Sequence, residues 1–279
     1  MEELTEEIKE SKEAHKKLIE IQKERISQLA GTRGNQKYYD CPICNNRGIF
    51  FNIDDNGYMT SKPCKCMAIR GAYKQMENDG VLEQVKSCSF DNYNVNTTWQ
   101  KSLKELALAF CGDTNAKGIA LLGQSGIGKS HLCCAIFDKL TMASLNVKVE
   151  PGQPISRYVS WNKEVKRLIG LMFSNEKDYQ EEMEELEKVP ILYIDDFFKP
   201  FRNEMPTKQV LSIAFDLLEY RKNQKGLKTI ISSELTISDI CSIDEAIGSR
   251  LVEITSDKYI ANIKKDSSRN VRIHQELKR

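Results

Sequence analysis

No run of apolar residues in this chain approaches the roughly 18 to 20 needed to cross a bilayer. The first ten residues, Met1 to Glu10, are acidic and polar, unlike a secretory leader. Nor is there an excess of charge of either sign: 41 basic and 40 acidic side chains leave a formal net charge of +1. The field of the whole protein therefore pulls toward neither nucleic acid nor membrane, and only local patches stay open. Internal repeats and low-complexity tracts are missing too, and 40% apolar with 29% charged residues excludes general disorder. Nine cysteines are an odd number, scattered except for four in a tight paired arrangement. That pattern excludes a secreted disulfide scaffold and indicates a reducing cytoplasm with one metal site. A length of 279 residues suits one sizeable domain and a small appendage.

Fourteen of the first thirty residues are Lys, Arg, Asp or Glu, with no Pro or Gly before Gly31. Leu4, Ile8, Leu18, Ile21, Ile26 and Leu29 recur at loosely helical spacing, which predicts a surface helix with a narrow apolar stripe. Such a stripe needs a partner, in cis or on another protein. His15 reads as an ordinary surface residue. Boundaries fall at 1–36 for this helix, 37–70 for a cysteine module, 71–88 for a connecting helix and 89–279 for an α/β core. Within the core the predicted order is helix 98–110, strand 118–122, helix 129–143, strand 157–161 and helix 163–173. An acidic helix 176–188, strand 191–194, helix 208–223 and strand 229–232 complete it. Strands alternating with helices of this length imply a parallel sheet sandwiched between helices, a three-layer fold. The acidic helix, with seven acidic and two basic residues, reads first as a solvated face.

Gly123-Gln124-Ser125-Gly126-Ile127-Gly128-Lys129-Ser130 fits G-x-x-x-x-G-K-[ST] at every fixed position, between an apolar strand and a helix. Glycines let successive backbone N–H groups turn inward around phosphates, and the helix N-terminus adds its positive end. Lys129 is then expected to bridge the β- and γ-phosphates of ATP, with the Ser130 hydroxyl on Mg²⁺. About sixty residues on, Ile191-Leu-Tyr-Ile194 runs into Asp195-Asp196, a buried strand ending in two carboxylates. Asp195 suits Mg²⁺ held through its water shell, and Asp196 suits orientation of the attacking water. Asp196 is one methylene shorter than the Glu usual in hydrolytic ATPases, so turnover should be slow. Arg250, in Ile247-Gly-Ser-Arg250, is placed to complete a neighbour's site in trans or to serve as a helix-surface salt bridge. Arg272 is a candidate contact to the γ-phosphate of its own subunit, or one of several basic residues of the tail.

Cys41-Pro-Ile-Cys44 and Cys64-Lys-Cys66 are two ligand pairs nineteen residues apart. The first, followed by Gly48, has the form of a zinc knuckle, and four thiolates suit tetrahedral Zn²⁺. An iron–sulfur cluster and plain free thiols are the alternatives. With all four cysteines engaged, the site is structural. Cys88, Cys111, Cys133, Cys134 and Cys241 read as small core residues, and His131 as a packing residue.

The run Gly128-Lys-Ser-His-Leu132, with Asp195-Asp196 and Ile247-Gly-Ser-Arg250, resembles the AAA+ ATPases that load bacterial replicative helicases, the DnaC/DnaI type. The resemblance takes in Ser89-Phe-Asp-Asn-Tyr93 as lead-in and the Cys41 to Cys66 module, because DnaI-like loaders carry an N-terminal zinc-binding, helicase-docking region. Tyr193-Ile-Asp-Asp-Phe-Phe-Lys199 and Ile231-Ser-Ser-Glu234 are similar to loaders encoded by phages of low-GC Gram-positive bacteria. It implies that Lys129 and Ser130 bind nucleotide and Mg²⁺, that Asp195 and Asp196 are the Walker B pair, and that Glu234 falls at sensor 1. Arg250 becomes the arginine finger and Arg272 sensor 2. A carboxylate at sensor 1 is repelled by a γ-phosphate unless a water or cation intervenes. About 25 residues follow Ile254, which implies a truncated C-terminal lid.

The implied function is ATP-dependent loading of a hexameric replicative DNA helicase onto single-stranded DNA, with self-association on ATP binding and no membrane partner. Lys258, Lys264, Lys265 and Arg269 read first as a solvated surface and second as a basic patch for DNA, with Tyr259 its one aromatic. Two rivals share these motifs. One is an IstB-like AAA+ helper of a transposase, which usually lacks the cysteine module. The other is an ATP-switched adaptor or inhibitor of a helicase, which the Asp196 substitution keeps open.

Overall fold

The computed structural model describes residues 2–147, 153–199, 205–263 and 266, with the side chains of 2–10 outside that description. The chain divides into two compact units, Met1–Gly71 and Ala72–Arg279.

The first unit holds α1 (Glu2–Gly31), the antiparallel strands β1 (Ile49–Ile53) and β2 (Met59–Pro63), and the opening turn of α2 (Cys66–Asn78). On α1 the expected stripe is shifted. Leu18, Ile19, Gln22, Ile26 and Leu29 are half-buried, whereas Ile21 is 61% exposed. At 3.6 residues per turn the five buried positions share an arc of about 100°, and Ile21 falls outside it. The partner is in cis: Leu18 and Ile19 lie against the hairpin turn at Gly57. Arg47 reaches back to cap α1, its Nη1 donating to the carbonyls of Leu29, Ala30 and Thr32. The hairpin is absent from the sequence-based prediction. Its signal was Asn56-Gly57, behind an Asp54 side chain that accepts the N–H groups of Asn56 (3.0 Å) and Tyr58 (2.9 Å).

The second unit carries α3 (Leu82–Ser87), α4 (Thr98–Gly112), β3 (Gly118–Gly123), α5 (Lys129–Ala143), β4 (Ser156–Ser160), α6 (Trp161–Ser174) and α7 (Glu176–Lys188). It continues through β5 (Ile191–Asp195), α8 (Lys208–Asn223), β6 (Lys228–Ser233), α9 (Ile237–Ile243), α10 (Glu245–Thr255) and β7 (Ile260–Ile263). The strands form one sheet in the order β4-β5-β6-β3-β7, every pair parallel. Alternate residues of β3 and β5 serve opposite layers. Ala120, Leu122, Leu192 and Ile194 join the core formed by α6, α7, α8, α9 and α10, and α5 covers the other face. The three-layer parallel fold is therefore as expected, and β7, α9 and α10 are additions that the sequence pattern did not resolve.

One buried cation closes the far end of the sheet. Arg221 of α8 is 0% exposed. It donates to the carbonyls of Leu186 (2.9 Å), Glu187 (3.0 Å), Val189 (2.9 Å) and Lys228 (2.9 Å) and to Thr229 Oγ1 (2.8 Å). Two of these acceptors are carbonyls in the last turn of α7, groups with no partner inside their own helix. One guanidinium thus ties α7, α8 and β6 together. Arg221→Ala is expected to lower stability by about 3 kcal/mol through the orphaned acceptors and the void. Arg221→Lys should recover only part, since an ammonium cannot span the same fork. Urea unfolding midpoints check this, and equal midpoints for Arg221→Ala and the parent chain would refute it.

Candidate functional site

The C-terminal ends of β3, β5 and β6 lie side by side and open onto a cavity of about 500 Å³. Its walls include Ser125, Gly126, Ile127, Gly128, Lys129 and Ser130 from the loop after β3, Asp195 and Asp196 from the end of β5, and Glu234 after β6. Stretches distant in sequence thus converge because parallel strands all point the same way.

The loop is held open by close approaches. Gly123 (φ +112°) passes so near β7 that a Cβ there would lie 1.9 Å from the carbonyl oxygen of Ile263. Gln124 turns away from the cavity, its side-chain amide paired both ways with the backbone of Asp266. Gly128 (φ +88°) opens α5, whose N-terminus faces the cavity. Lys129 is 7% exposed, and its Nζ donates to the carbonyls of Gly123 and Gln124, both at 2.7 Å.

Asp195, 9% exposed, accepts from three hydroxyls: Tyr193 (2.8 Å), Tyr158 (3.0 Å) and Ser232. Burial above all, with the charge of Asp195 contributing, raises both tyrosine pKa values well past the ordinary phenol, so they stay donors. Asp196 is left-handed (φ +56°), and its N–H donates to Ser232 Oγ at 3.1 Å. Its carboxylate pairs with Lys199 Nζ at 3.1 Å, and Lys199 also reaches Glu234 at 3.3 Å. Glu234 is therefore not an isolated negative charge beside the phosphate loop. Ser232 and Lys199 are site residues that the motif reading quoted without assigning a role.

Tyr93 is a further residue of this kind. It is 7% exposed and lines the cavity against Gly128, with its ring edge-on to His131 at 5.4 Å. Burial pushes its phenol up to about 12, and the hydroxyl has no hydrogen-bond partner among the described residues. A buried, unsatisfied hydroxyl in a cavity wall suits a polar ligand atom. His131 packs as expected and also bonds the Ser89 carbonyl at 2.9 Å, joining the lead-in to α5.

The remaining candidates stand apart. Arg250, on α10, is not among the residues lining the cavity. Its Nε lies 2.7 Å from Glu219 Oε2, and its guanidinium stacks 4.2 Å from the Phe215 ring centroid. Arg272 lies outside the described residues, as do Lys264, Lys265 and Arg269 of the basic patch and all of 264–279 except Asp266. Tyr259, expected as a stacking aromatic, is instead 2% exposed with its hydroxyl on Asp113 at 2.8 Å, and Lys258 pairs with the same carboxylate at 3.2 Å. Its position between α10 and β7 explains this: the ring completes the core against Phe110. Cys133 and Cys134 are buried as expected, whereas Cys88, Cys111 and Cys241 are only half-buried.

In the first unit the hairpin register brings the cysteine pairs together, with the Cys64 N–H donating to the Gly48 carbonyl at 2.7 Å. Cys41, Cys44, Cys64 and Cys66 are all buried, with their sulfurs within 4.8 Å of one another. Cys41 and Cys64 are 3.9 Å apart, Cys44 and Cys66 3.7 Å. A tetrahedron of sulfurs about 2.3 Å from zinc has edges of about 3.8 Å, so the set is compatible with that ion and too wide for disulfides. The Gly48 N–H donates to Cys44 Sγ at 3.2 Å, and Arg70 Nε to Cys66 Sγ at 3.5 Å. Burial pushes Cys66 up to about 12. Cys44, although burial opposes it, is drawn down to about 7 by the Gly48 N–H and the adjacent thiols. Four neighbouring thiolates coexist only around a cation.

A parallel sheet in this order, with a phosphate loop after β3 and paired carboxylates ending β5, defines a P-loop α/β core. No family model matches the chain. It is similar to the uncharacterized protein YqaM of Bacillus subtilis (strain 168), at 27% identity over 310 aligned positions, 91% of this chain and 93% of that protein. The phage-like element PBSX protein XkdC of the same strain is 28% identical over 236 positions, 81% and 83% of the respective lengths. Among solved structures, the DnaC helicase loader superposes with a TM-score of 0.48 at 17% identity, over 66% of this chain and 99% of that one.

Ser232→Ala should cost about 1–2 kcal/mol, because it removes a donor to Asp195 and the acceptor of the Asp196 N–H. Urea titration of the two proteins measures it; identical midpoints would mean the hydroxyl contributes nothing.

Proposed function

We propose that this protein is an ATP-dependent loader of a hexameric replicative DNA helicase, docking through its N-terminal region and helping to place the helicase on single-stranded DNA. The observation that carries the reading is the convergence of the Gly123–Ser130 loop, Asp195, Asp196 and Glu234 on one cavity. The cysteine-bearing first unit supports a loader over a transposase helper. The name of XkdC, a protein of a phage-like element, supports a phage-encoded origin and action in the bacterial cytoplasm. Among the described residues no helix is long and apolar enough to cross a membrane.

Roles follow from the chemistry of each group. The N–H groups of the loop and the α5 N-terminus take the phosphates, and Lys129 exchanges its two carbonyl partners for phosphate oxygens. Ser130 and Asp195 offer the hard oxygen donors that Mg²⁺ prefers, and the ion, when bound, offsets charge on the β- and γ-phosphates. Asp196 orients water. Arg250 completes the site of a neighbouring subunit in an ATP-induced assembly, which requires it to leave Glu219. Arg272 is the candidate contact to the γ-phosphate within the subunit. The four cysteines hold a structural Zn²⁺.

A second reading, a nucleotide-switched helicase-binding adaptor, is favoured by one observation: the Asp196 carboxylate is engaged by Lys199. Mass photometry with the host replicative helicase, with and without ATP and Mg²⁺, tests both. A helicase hexamer carrying several copies supports docking, and absence of any complex would move the assignment to a transposase helper. Lys129→Ala should reduce ATP affinity at least about tenfold. Arg250→Ala should leave ADP binding intact and abolish ATP-dependent assembly and DNA-stimulated turnover. Unchanged assembly and turnover in Arg250→Ala would remove the loader mechanism.

Zinc is tested separately. Purified protein should contain a single zinc ion per chain at the four-cysteine cluster, and Cys44→Ser or Cys66→Ser should lose it together with the fold of the first unit. Metal analysis showing full protein and no zinc would exclude the assignment.

A further inference from the structure

Two carboxylates of the cavity share one ammonium group. Lys199 Nζ lies 3.1 Å from Asp196 and 3.3 Å from Glu234, and all three line the cavity that contains Lys129 and Ser130. The placement is built into the fold. The Lys199 N–H donates to the Asp196 carbonyl at 2.9 Å, closing a tight turn in which Asp196 (φ +56°) and Phe198 (φ +52°) are both left-handed. Non-glycine residues hold that conformation only where their surroundings over-determine it. Here Phe197 and Phe198 are buried and pack against Trp161 at 4.8 and 5.7 Å between centroids. The Phe197 N–H and carbonyl are bonded to Ser232 and Ser233 of β6, at 2.8 and 2.6 Å. A rooted turn therefore delivers a long, mobile cation to the cavity.

Two acidic groups at this point would repel a γ-phosphate, and Lys199 offsets one of them. Although burial pulls its pKa down, Asp196 and Glu234 together hold Lys199 above the ordinary lysine value, so it is cationic at neutral pH. Its side chain is 41% exposed. Ion pairs this open to water are weak, so a more highly charged phosphate can redistribute the ammonium at little cost.

We propose that Lys199 is the positioning residue that reads the γ-phosphate, an inference resting on the ATP-site assignment above. With a diphosphate bound, Lys199 stays on Asp196 and Glu234. A γ-phosphate draws the ammonium off Asp196, while Glu234 keeps it tethered at the cavity. The released Asp196 carboxylate then accepts a proton from the attacking water. The water oxygen bonds to the γ-phosphorus, the bond from that phosphorus to the bridging oxygen breaks, and ADP and inorganic phosphate result. Glu234 acts through Lys199 as its anchor, which gives a carboxylate at that position a purpose.

The test compares calorimetric binding of ADP and of a non-hydrolysable ATP analogue to the full chain, alongside steady-state kcat and KM for ATP. Lys199→Ala should lower the preference for the triphosphate about tenfold, the worth of one charge-assisted hydrogen bond, with ADP affinity unchanged. Its kcat should fall as well as its KM rise, and Lys199→Arg should restore the preference. Unchanged ADP binding shows that the variant is folded, and Lys199→Gln replaces Lys199→Ala if the latter is not. If Lys129→Ala abolishes binding but Lys199→Ala keeps the parental triphosphate-to-diphosphate ratio, this inference alone is overturned. If the parent chain binds neither nucleotide, the ATP-site assignment falls and the inference with it.

Discussion

The hydroxyl of Ser232 links the two aspartates on which the candidate site depends. It donates to Asp195 and accepts the N–H of Asp196 at 3.1 Å, while the Ser232 carbonyl accepts the next N–H, that of Phe197, at 2.8 Å. These contacts exist because β5 and β6 are parallel neighbours, with Ile194 beside Ile231. β5 runs one residue further, to Asp195, and the left-handed Asp196 then turns the chain out of the sheet. One small polar side chain thereby ties Asp195 at the strand end to the backbone of Asp196 as the chain leaves the sheet. In a buried setting such a polar network tolerates little slack, since any unpaired member would bear its full desolvation penalty.

Charge is managed locally. The cavity gathers Asp195, Asp196 and Glu234 against Lys129 and Lys199, with the N-terminus of α5 adding partial positive charge. Asp195 accepts hydrogen bonds from three hydroxyls. Asp196 and Glu234 are answered by a lysine on a solvent-accessible edge. At the opposite end of the sheet, Arg221 satisfies backbone carbonyls and has no carboxylate partner among the described residues.

Most regular elements of the α/β core were legible because each carries a strong local signal. β3 and β5 are continuous apolar runs, as strands buried on both faces must be. Helices α5, α7 and α8 begin and end at the predicted residues. The weak spots share a physical cause. β2, Met-Thr-Ser-Lys-Pro, is largely exposed and has no apolar pattern to read, and it is a strand only because β1 pairs with it. β7 has four residues and owes its conformation to β3. On α1 a loose periodicity could not decide between Ile19 and Ile21, because the choice rests on where the hairpin lies.

The sequence by itself determined the chemistry that is local in the chain. A phosphate loop is a contiguous run of backbone N–H groups, glycines and a lysine, and a C-x-x-C knuckle is a single turn; both can be recognised without knowing what surrounds them. Tertiary structure alone decided how residues far apart share one charge or one hydrogen. Lys199 bridging Asp196 to Glu234, Tyr93 against Gly128, and Cys44 beside Cys66 across a hairpin are consequences of register and strand order. Long-range pairings of this kind leave no periodicity in the chain, because each depends on two or more segments meeting at a distance that only the packed sheet or the closed hairpin sets.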